Sequence, residues 1–139
     1  MRSKRRAALL IQVVMSNKMN KIFILLTVLL LVSCSESLDI KLEPEVNVFL
    51  SHDREKKIRL TPEDKEYVAL NEWLREHRSD WYPTSGRYPG GVYIKTGNYG
   101  IQITKLNVIL YSTTHPEPRA MYVQNVSRGE LSEIRNIGK

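Results

Sequence analysis

The chain has 139 residues, a length that accommodates one folded domain of ordinary size. Its formal charge is +6, and six of the 21 basic residues lie before position 34, where there is no acidic residue. The remaining part of the chain contains 15 basic and 15 acidic residues. From residue 34 onward the chain is therefore electrically neutral. This neutrality excludes the broad basic surface that binds DNA or RNA, and we expect no nucleic-acid partner.

The N-terminal region has the organisation of an export signal. Lys18 and Lys21 precede an apolar run over residues 22–32 that only Thr27 interrupts. As a helix this run is about 16 Å long, whereas the hydrocarbon core of a bilayer is roughly 30 Å thick. Residues 1–33 are therefore predicted to be a signal peptide and not a membrane-spanning helix.

A second basic and apolar stretch, over residues 2–14, comes before this signal. A chain that starts at Met19 has a compact signal, in which Asn20 and Lys21 lead directly into the apolar run. We therefore expect Met15 or Met19 to be the true start. The alternative is that the signal has a long basic region in front of it.

The apolar run ends in Leu31-Val32-Ser33-Cys34: a branched apolar residue, a tolerant position, a small residue and a Cys. This motif resembles the lipobox of bacterial lipoproteins, and the resemblance covers residues 19–35. It implies cleavage between Ser33 and Cys34, a diacylglyceryl group on the Cys34 thiol and acylation of the new amine. Cys34 is the one Cys of the sequence, so lipidation would leave no free thiol in an oxidising compartment.

The resemblance also implies a location. It describes a protein of the bacterial cell envelope that faces the periplasm and is held by membrane lipid through acylated Cys34. In enterobacterial lipoproteins an Asp after the Cys favours retention in the inner membrane. This chain has Ser35 at that position, so the resemblance favours the outer membrane.

The mature chain is predicted to consist of the lipidated Cys and a polar tether over residues 34–45, followed by a small α+β domain over residues 46–139. Apolar residues alternate over 46–50, which predicts a strand, and Ile58 and Leu60 predict a brief second strand. We recognise no family for this part of the chain.

One long helix is predicted over residues 62–79. Thr61 is suited to cap it, Pro62 suits the first helical position, and the acidic residues that follow complement the helix dipole. Its apolar stripe is expected to pack on a sheet and comprises Tyr67, Leu70, Trp73, Leu74 and His77.

After the helix, a loop rich in Gly and Pro is predicted over residues 81–91, and strands over 92–94, 99–103, 106–110 and 121–126. Around residues 104–105 the pattern is compatible with a bulge in one strand or a turn between two. The expected fold class is α+β, with one helix packed on an antiparallel sheet of about four strands.

The sequence singles out no catalytic or metal-binding constellation, and we predict neither a metal nor a cofactor. His52, His77 and His115 are far apart in sequence, with no Cys left to join them as ligands. Residues 90–96 place glycines ahead of Lys-Thr, but Ile94 stands where a phosphate-binding loop needs Gly.

Aromatic residues are concentrated between positions 73 and 99. Trp73 and Tyr93 are assigned to packing of the helix and of a strand. Tyr82, Arg87 and Tyr88 lie in the predicted loop, where amphipathic rings and a guanidinium can contact sugars or proteins. These three residues are the candidate partner-binding residues.

These patterns favour a non-enzymatic, lipid-anchored envelope module that binds a protein or glycan partner. One alternative is a small periplasmic hydrolase acting on cell-wall material, which would need His77 or His115 beside Asp80 or Glu117 in a pocket. Another is a purely structural lipoprotein, for which we expect a surface without an aromatic patch.

Overall fold

The computed structural model describes residues 17–25 and 35–139 of the chain. The chain divides into two compact units, Met1–Cys34 and Ser35–Lys139. In the first unit, residues 17–25 are helical (α1). The predicted cleavage and lipidation sites, Ser33 and Cys34, and the possible start at Met15 lie outside the described residues. Within the described ranges, no helix is long and apolar enough to cross a membrane.

The second unit is built on one antiparallel sheet of seven strands. In chain order these are β1 (Val46–Leu50), β2 (Asp53–Leu60), β3 (Tyr82–Pro83), β4 (Val92–Thr96), β5 (Tyr99–Ile103), β6 (Asn107–Ser112) and β7 (Arg119–Asn125). In space the order is β2-β1-β4-β5-β6-β7-β3. Two helices complete the unit, α2 (Lys65–Glu76) and α3 (Ser132–Arg135), and they pack against each other.

The predicted fold class is wrong. The structure has a seven-stranded antiparallel sheet and three short helices, and so contains more β-structure than one helix on about four strands. Strand β2 is longer than expected. Its first part, residues 53–57, is a charged stretch at the sheet edge without apolar alternation, so the sequence pattern does not reveal it. Strand β3 has two residues, Tyr82 and Pro83, which are too few to produce a periodic pattern.

The change of parity around residues 104–105 is a turn between β5 and β6, not a bulge. The backbone N–H of Thr104 donates to the carbonyl of Asn107 at 2.9 Å. In return, the Thr104 hydroxyl accepts the Asn107 N–H at 3.0 Å. A hydroxyl that bonds to nearby backbone stabilises such a tight turn.

Four of the five residues predicted for the apolar stripe of α2 are buried, namely Tyr67, Leu70, Trp73 and Leu74, whereas His77 follows the last helical residue and is half-buried. The helix begins at Lys65, later than predicted. The reason is a turn in front of it, in which the Asp64 carboxylate accepts the N–H of Thr61 at 2.7 Å and its hydroxyl at 3.1 Å. It ends at Glu76, also earlier than predicted.

Residues 35–45, the predicted tether, contribute to the packing of this unit. Ile40 is part of the hydrophobic core. The Glu36 N–H donates to the Trp81 carbonyl at 2.8 Å, and the Glu36 carboxylate accepts the Tyr122 hydroxyl at 2.6 Å. The folded unit therefore begins near residue 35, and residues 35–45 are part of it.

The sheet has two faces because successive side chains in a strand alternate and antiparallel partners share a face. On the face that we call the core face, a row of paired residues is buried in one cluster with α2. This row comprises Val48, Ile94, Ile101 and Leu110. The opposite face is called the open face, and it carries the site described next.

Candidate functional site

The row of paired side chains on the open face crosses six strands. It runs through Phe49, Tyr93, Gln102, Ile109, Val123 and Tyr82. Neighbouring strands are about 4.8 Å apart, so the middle of this row is a platform some four strands wide. Four of its six residues are aromatic or carry an amide, and Ile109 and Val123 are aliphatic, whereas the row on the core face is aliphatic throughout.

The segment of residues 84–91, which we call the crossing loop, passes over this platform. It leaves β3 at one edge of the sheet and enters β4, four positions away, so it must cross β7, β6 and β5. That distance is about 19 Å, well within the reach of eight residues. The strand order thus requires a long connection between β3 and β4, and its hydrogen bonds to Gln102 place it on the open face.

Gln102, on β5, fixes the crossing loop to the sheet. Its side-chain amide donates to the carbonyls of Tyr88 and Gly90 at 2.6 and 2.7 Å. Its amide oxygen accepts the Tyr111 hydroxyl at 2.7 Å. The Tyr88 hydroxyl is in turn 2.7 Å from the hydroxyl of Thr84 within the loop. Both ends of the Gln102 amide are used, so this residue holds the loop in position and has no free donor for a ligand.

The end of the crossing loop requires a glycine. Gly91 has φ of +80°, and a Cβ at this position would overlap the backbone carbonyl of Ile103. Glycine is the residue that meets both conditions without strain. The close approach lets the loop enter β4 directly beside β5.

Under the crossing loop, the open face forms a concave cavity of about 850 Å³. It is lined by Phe49, Leu50, Ser51, Tyr88, Pro89, Gly90, Gly91, Val92, Tyr93, Lys95, Gln102, Tyr111, Thr113, His115, Pro116 and Pro118. A smaller cavity of about 390 Å³ is lined by Ser85, Gly86, Arg87, Tyr88, Tyr111, Pro118, Arg119 and Ala120. The two are neighbours, because three lining residues are common to both.

Three aromatic rings form the floor of the larger cavity. The ring centre of Tyr93 is 6.4 Å from that of Phe49 and 6.0 Å from that of Tyr111, both in tilted or edge-on arrangements. Such arrangements are favourable for aromatic pairs. Gly100 makes room for them, since the Tyr93 hydroxyl occupies the space that a Cβ of residue 100 would fill.

The tyrosines of this floor remain protonated well above neutral pH. Burial raises the pKa of Tyr93. Burial also raises the pKa of Tyr111, and the nearby phenols of Tyr93 and Tyr88 raise it further. Within the described ranges the Tyr93 hydroxyl has no hydrogen-bond partner, so it can serve a ligand as donor or acceptor.

The charged side chains at the cavities are all basic. Lys95 lines the larger cavity, and Arg87 and Arg119 line the smaller one. No Asp or Glu is among the described residues that line either cavity. In the described part of the chain, these three cations form no ion pair. The open face therefore combines aromatic rings with unpaired positive charge.

The structure brings two of the three sequence-predicted site residues together. Tyr88 lines both cavities and Arg87 lines the smaller one. Tyr82 lies in the edge strand β3, where 41 % of its surface is exposed, and it is not among the described lining residues of either cavity. The role of these residues in binding stays a prediction.

The two histidines of the hydrolase alternative lie in different surroundings. The His77 ring stacks on Trp73 with ring centres 4.3 Å apart, and its Nε2 is 3.9 Å from a Glu130 carboxylate oxygen. His115 lines the larger cavity. Across residues 17–25 and 35–139, no group of three or more His, Cys, Asp and Glu side chains is placed to hold a metal ion.

Sequence reasoning missed the residues on which the cavity is built: Phe49, Tyr93, Lys95, Gln102 and Tyr111. A usable signal was present for Tyr93. It lies between Val92 and Ile94, both buried, so strand alternation points it away from the core. No sequence signal showed that the crossing loop would cover this face.

No protein-family model, curated protein or solved structure matches the chain. Its function is accordingly inferred from the geometry and chemistry of the open face.

Proposed function

We propose that this protein is a lipid-anchored component of the bacterial cell envelope that binds a partner on the open face and catalyses no reaction. The resemblance of residues 31–34 to a lipobox supports the anchor. The concave aromatic cavity beneath the crossing loop supports the binding role, and it is the single observation that carries the proposal. The partner is an envelope protein or a glycan.

The size and lining of the cavity suit a binding site. Its volume of about 850 Å³ lies in the range of ligand sites, which are largely apolar with a few polar groups. Phe49, Tyr93 and Tyr111 supply ring area, and the hydroxyl of Tyr93 supplies a free polar group. Tyrosine rings bury much surface for little loss of rotamer freedom, which favours recognition.

The site is also held in position by contacts within the chain. Gln102 fixes the crossing loop through two hydrogen bonds, and Pro89 restricts its backbone. A surface that is already ordered loses less entropy on binding. This feature favours a binding role for the loop over a purely connecting one.

The anchor is tested on the mature protein from its native host. We expect mass spectrometry to find Cys34 as the first residue, carrying two or three acyl chains that hold the protein stably on membranes. In the Cys34→Ala variant, which lacks the thiol, an unlipidated precursor should accumulate. An unmodified Cys34, or a mature chain that starts elsewhere, would refute the anchor.

The binding role is tested by capture from native membranes with the full-length protein. We expect a specific partner with the wild type, and none with the double variant Phe49→Ala and Tyr93→Ala. Val68→Ala is the matched control, since Val68 is an exposed apolar residue on α2. Circular dichroism should show that both variants are folded. Equal capture by the three proteins would remove the open face as the binding site.

A further inference from the structure

We propose that the ligand of the open face is an acidic saccharide, whose ring faces contact the tyrosines and whose carboxylates meet Lys95, Arg87 and Arg119. The inference rests on the proposed binding function and specifies its ligand. Four observations support it: charge, ring arrangement, position in the sheet and the adjacency of the two cavities.

The charge distribution at the cavities calls for an anion. Lys95, Arg87 and Arg119 form no ion pair within the described ranges, although the unit as a whole has many acidic residues. The acidic residue nearest in sequence to any of these cations is Glu117, two residues before Arg119. It is not among the described residues that line either cavity. A carboxylate in this site would form charge-assisted hydrogen bonds with otherwise unpaired cations.

The aromatic floor suits a ring that has apolar C–H faces and polar edges. Tyr93 is tilted against both Phe49 and Tyr111, so the rings do not close over one another in a stack. The free hydroxyl of Tyr93 lies close to these rings and can bond to a sugar hydroxyl. A sugar ring matches both features, because its apolar C–H face can pack on an aromatic ring and its edge carries hydroxyls.

The position of the site in the sheet disfavours an extended peptide. The floor rings belong to β1, β4 and β6, and Gln102 belongs to β5; each of these strands has neighbours on both sides. Their backbone groups already pair within the sheet, whereas a peptide that binds by strand addition needs an exposed edge. Recognition here must come from side chains, as it does for saccharides.

The two cavities provide room for more than one sugar unit. They share Tyr88, Tyr111 and Pro118 and are therefore adjacent, and in the proposed complex the saccharide extends from the larger cavity to the smaller one. Lys95 lines the larger cavity, and Arg87 and Arg119 line the smaller one. This arrangement fits a saccharide with a repeating negative charge.

The test uses the purified full-length mature protein in detergent and calorimetric titration with three polymers. Polygalacturonate is the acidic saccharide, and its fully methyl-esterified form has the same sugar backbone without charge. Polyglutamate supplies the same carboxylate on a peptide chain. We expect binding to polygalacturonate, and at least about tenfold weaker binding to the other two.

Variants test the assignment of charge. Lys95→Gln should weaken polygalacturonate binding by about tenfold, because it removes one charge-assisted contact. Lys65→Gln is the matched control, since Lys65 is an exposed lysine on α2, and it should bind like the wild type. Equal losses in the two variants would mean that net charge, and not the site, attracts the polymer.

Three outcomes of the polymer titrations also overturn the inference. Equal affinity for the two forms of the polysaccharide would show that charge is not recognised, and a preference for polyglutamate would identify an acidic peptide. Binding to none of the polymers would remove the saccharide class. If membrane capture through Phe49 and Tyr93 still succeeds in these cases, the proposed binding function stands and only the ligand class fails.

Discussion

At the scale of single residues, the shape of the open face depends on a glycine. Gly100 lies opposite Tyr111 in the sheet, and the phenol of Tyr93 fills the space beside its Cα. Any side chain at this position must displace that phenol. The cavity floor is therefore determined by the absence of a side chain as much as by the rings.

Replacing Gly100→Ala should displace Tyr93 and leave the fold intact, because the contact is with the far end of a side chain. We expect a stability loss of about 1–3 kcal/mol, typical of inserting one methyl group into a filled space. Near-ultraviolet circular dichroism should report the altered ring environment while the far-ultraviolet spectrum stays unchanged. An unchanged near-ultraviolet spectrum would contradict the contact.

The raised pKa values of Tyr93 and Tyr111 predict a pH dependence of stability. The unfolded chain releases these protons near pH 10, before the folded protein does. The stabilisation is therefore fully present below about pH 10 and is lost as the pH rises through the folded-state pKa values.

Denaturant titrations at several alkaline pH values check this dependence. Stability of the wild type should decline above about pH 10, and the decline should be shallower in Tyr93→Phe, which lacks one of the two phenols. A variant with the same slope as the wild type would show that Tyr93 does not contribute.

At the scale of elements, the geometry of the crossing loop and the burial of α2 lead to two separate predictions. The loop depends on backbone geometry at two adjacent glycines, both with positive φ. Gly91 is packed against the Ile103 carbonyl, whereas a Cβ on Gly90 would meet nothing within 4 Å. The pair therefore separates backbone strain from steric overlap.

We expect Gly90→Ala to cost about 1 kcal/mol, from the positive φ alone. Gly91→Ala should cost about 3 kcal/mol or more, because overlap with immovable backbone is added to the same strain. Chemical denaturation of the two variants measures the difference. Equal costs would mean that the loop does not approach β5 as closely as described.

Helix α2 offers a comparison between its buried and exposed sides. Leu70 is fully buried and Val68 is 41 % exposed. Leu70→Ala should lower the free energy of unfolding by about 2–5 kcal/mol through a cavity in the core. Val68→Ala should change it by about 0.5 kcal/mol or less. Similar losses in both variants would show that the stripe is misplaced.

Elements with strong periodicity could be predicted from the sequence, and the others could not. The stripe of α2 is predictable because four buried residues recur at helical spacing over about two turns. Most of strand β2 gives no pattern because residues 53–57 at the sheet edge are all charged, and β3 is too short to show any period. Pairing between strands that are distant in sequence produces no local sequence pattern, so the predicted sheet has about four strands and the observed one has seven.

The candidate site was predictable only in part for the same reason. Arg87 and Tyr88 were found because loop composition is a local signal. The row from Phe49 to Tyr93 and Gln102 arises from pairing of β1, β4 and β5, which follows from topology. The sequence could therefore indicate the loop but not the platform beneath it.

At the scale of the whole molecule, the segment after the proposed anchor is part of the folded unit. Ile40 is buried in the core, and the Glu36 backbone pairs with that of Trp81. This packing means that a chain beginning at residue 46 lacks part of its core.

Deleting residues 35–45 should therefore destabilise the unit. The loss should be at least that of truncating one buried aliphatic side chain, about 2 kcal/mol or more. Ile40→Ala in the intact chain isolates the core contribution from the backbone pairing. A truncated protein as stable as the complete one would show that the segment only rests on the surface.

The most direct test of the binding face is site-specific photo-crosslinking in the native host. A benzophenone amino acid is placed at Phe49 in the floor of the cavity, or at exposed Val68 on α2. We expect a discrete crosslinked product from position 49 and none from position 68, with Tyr93→Ala abolishing the product. No product from position 49, or the same products from both positions, would contradict a binding role for the open face.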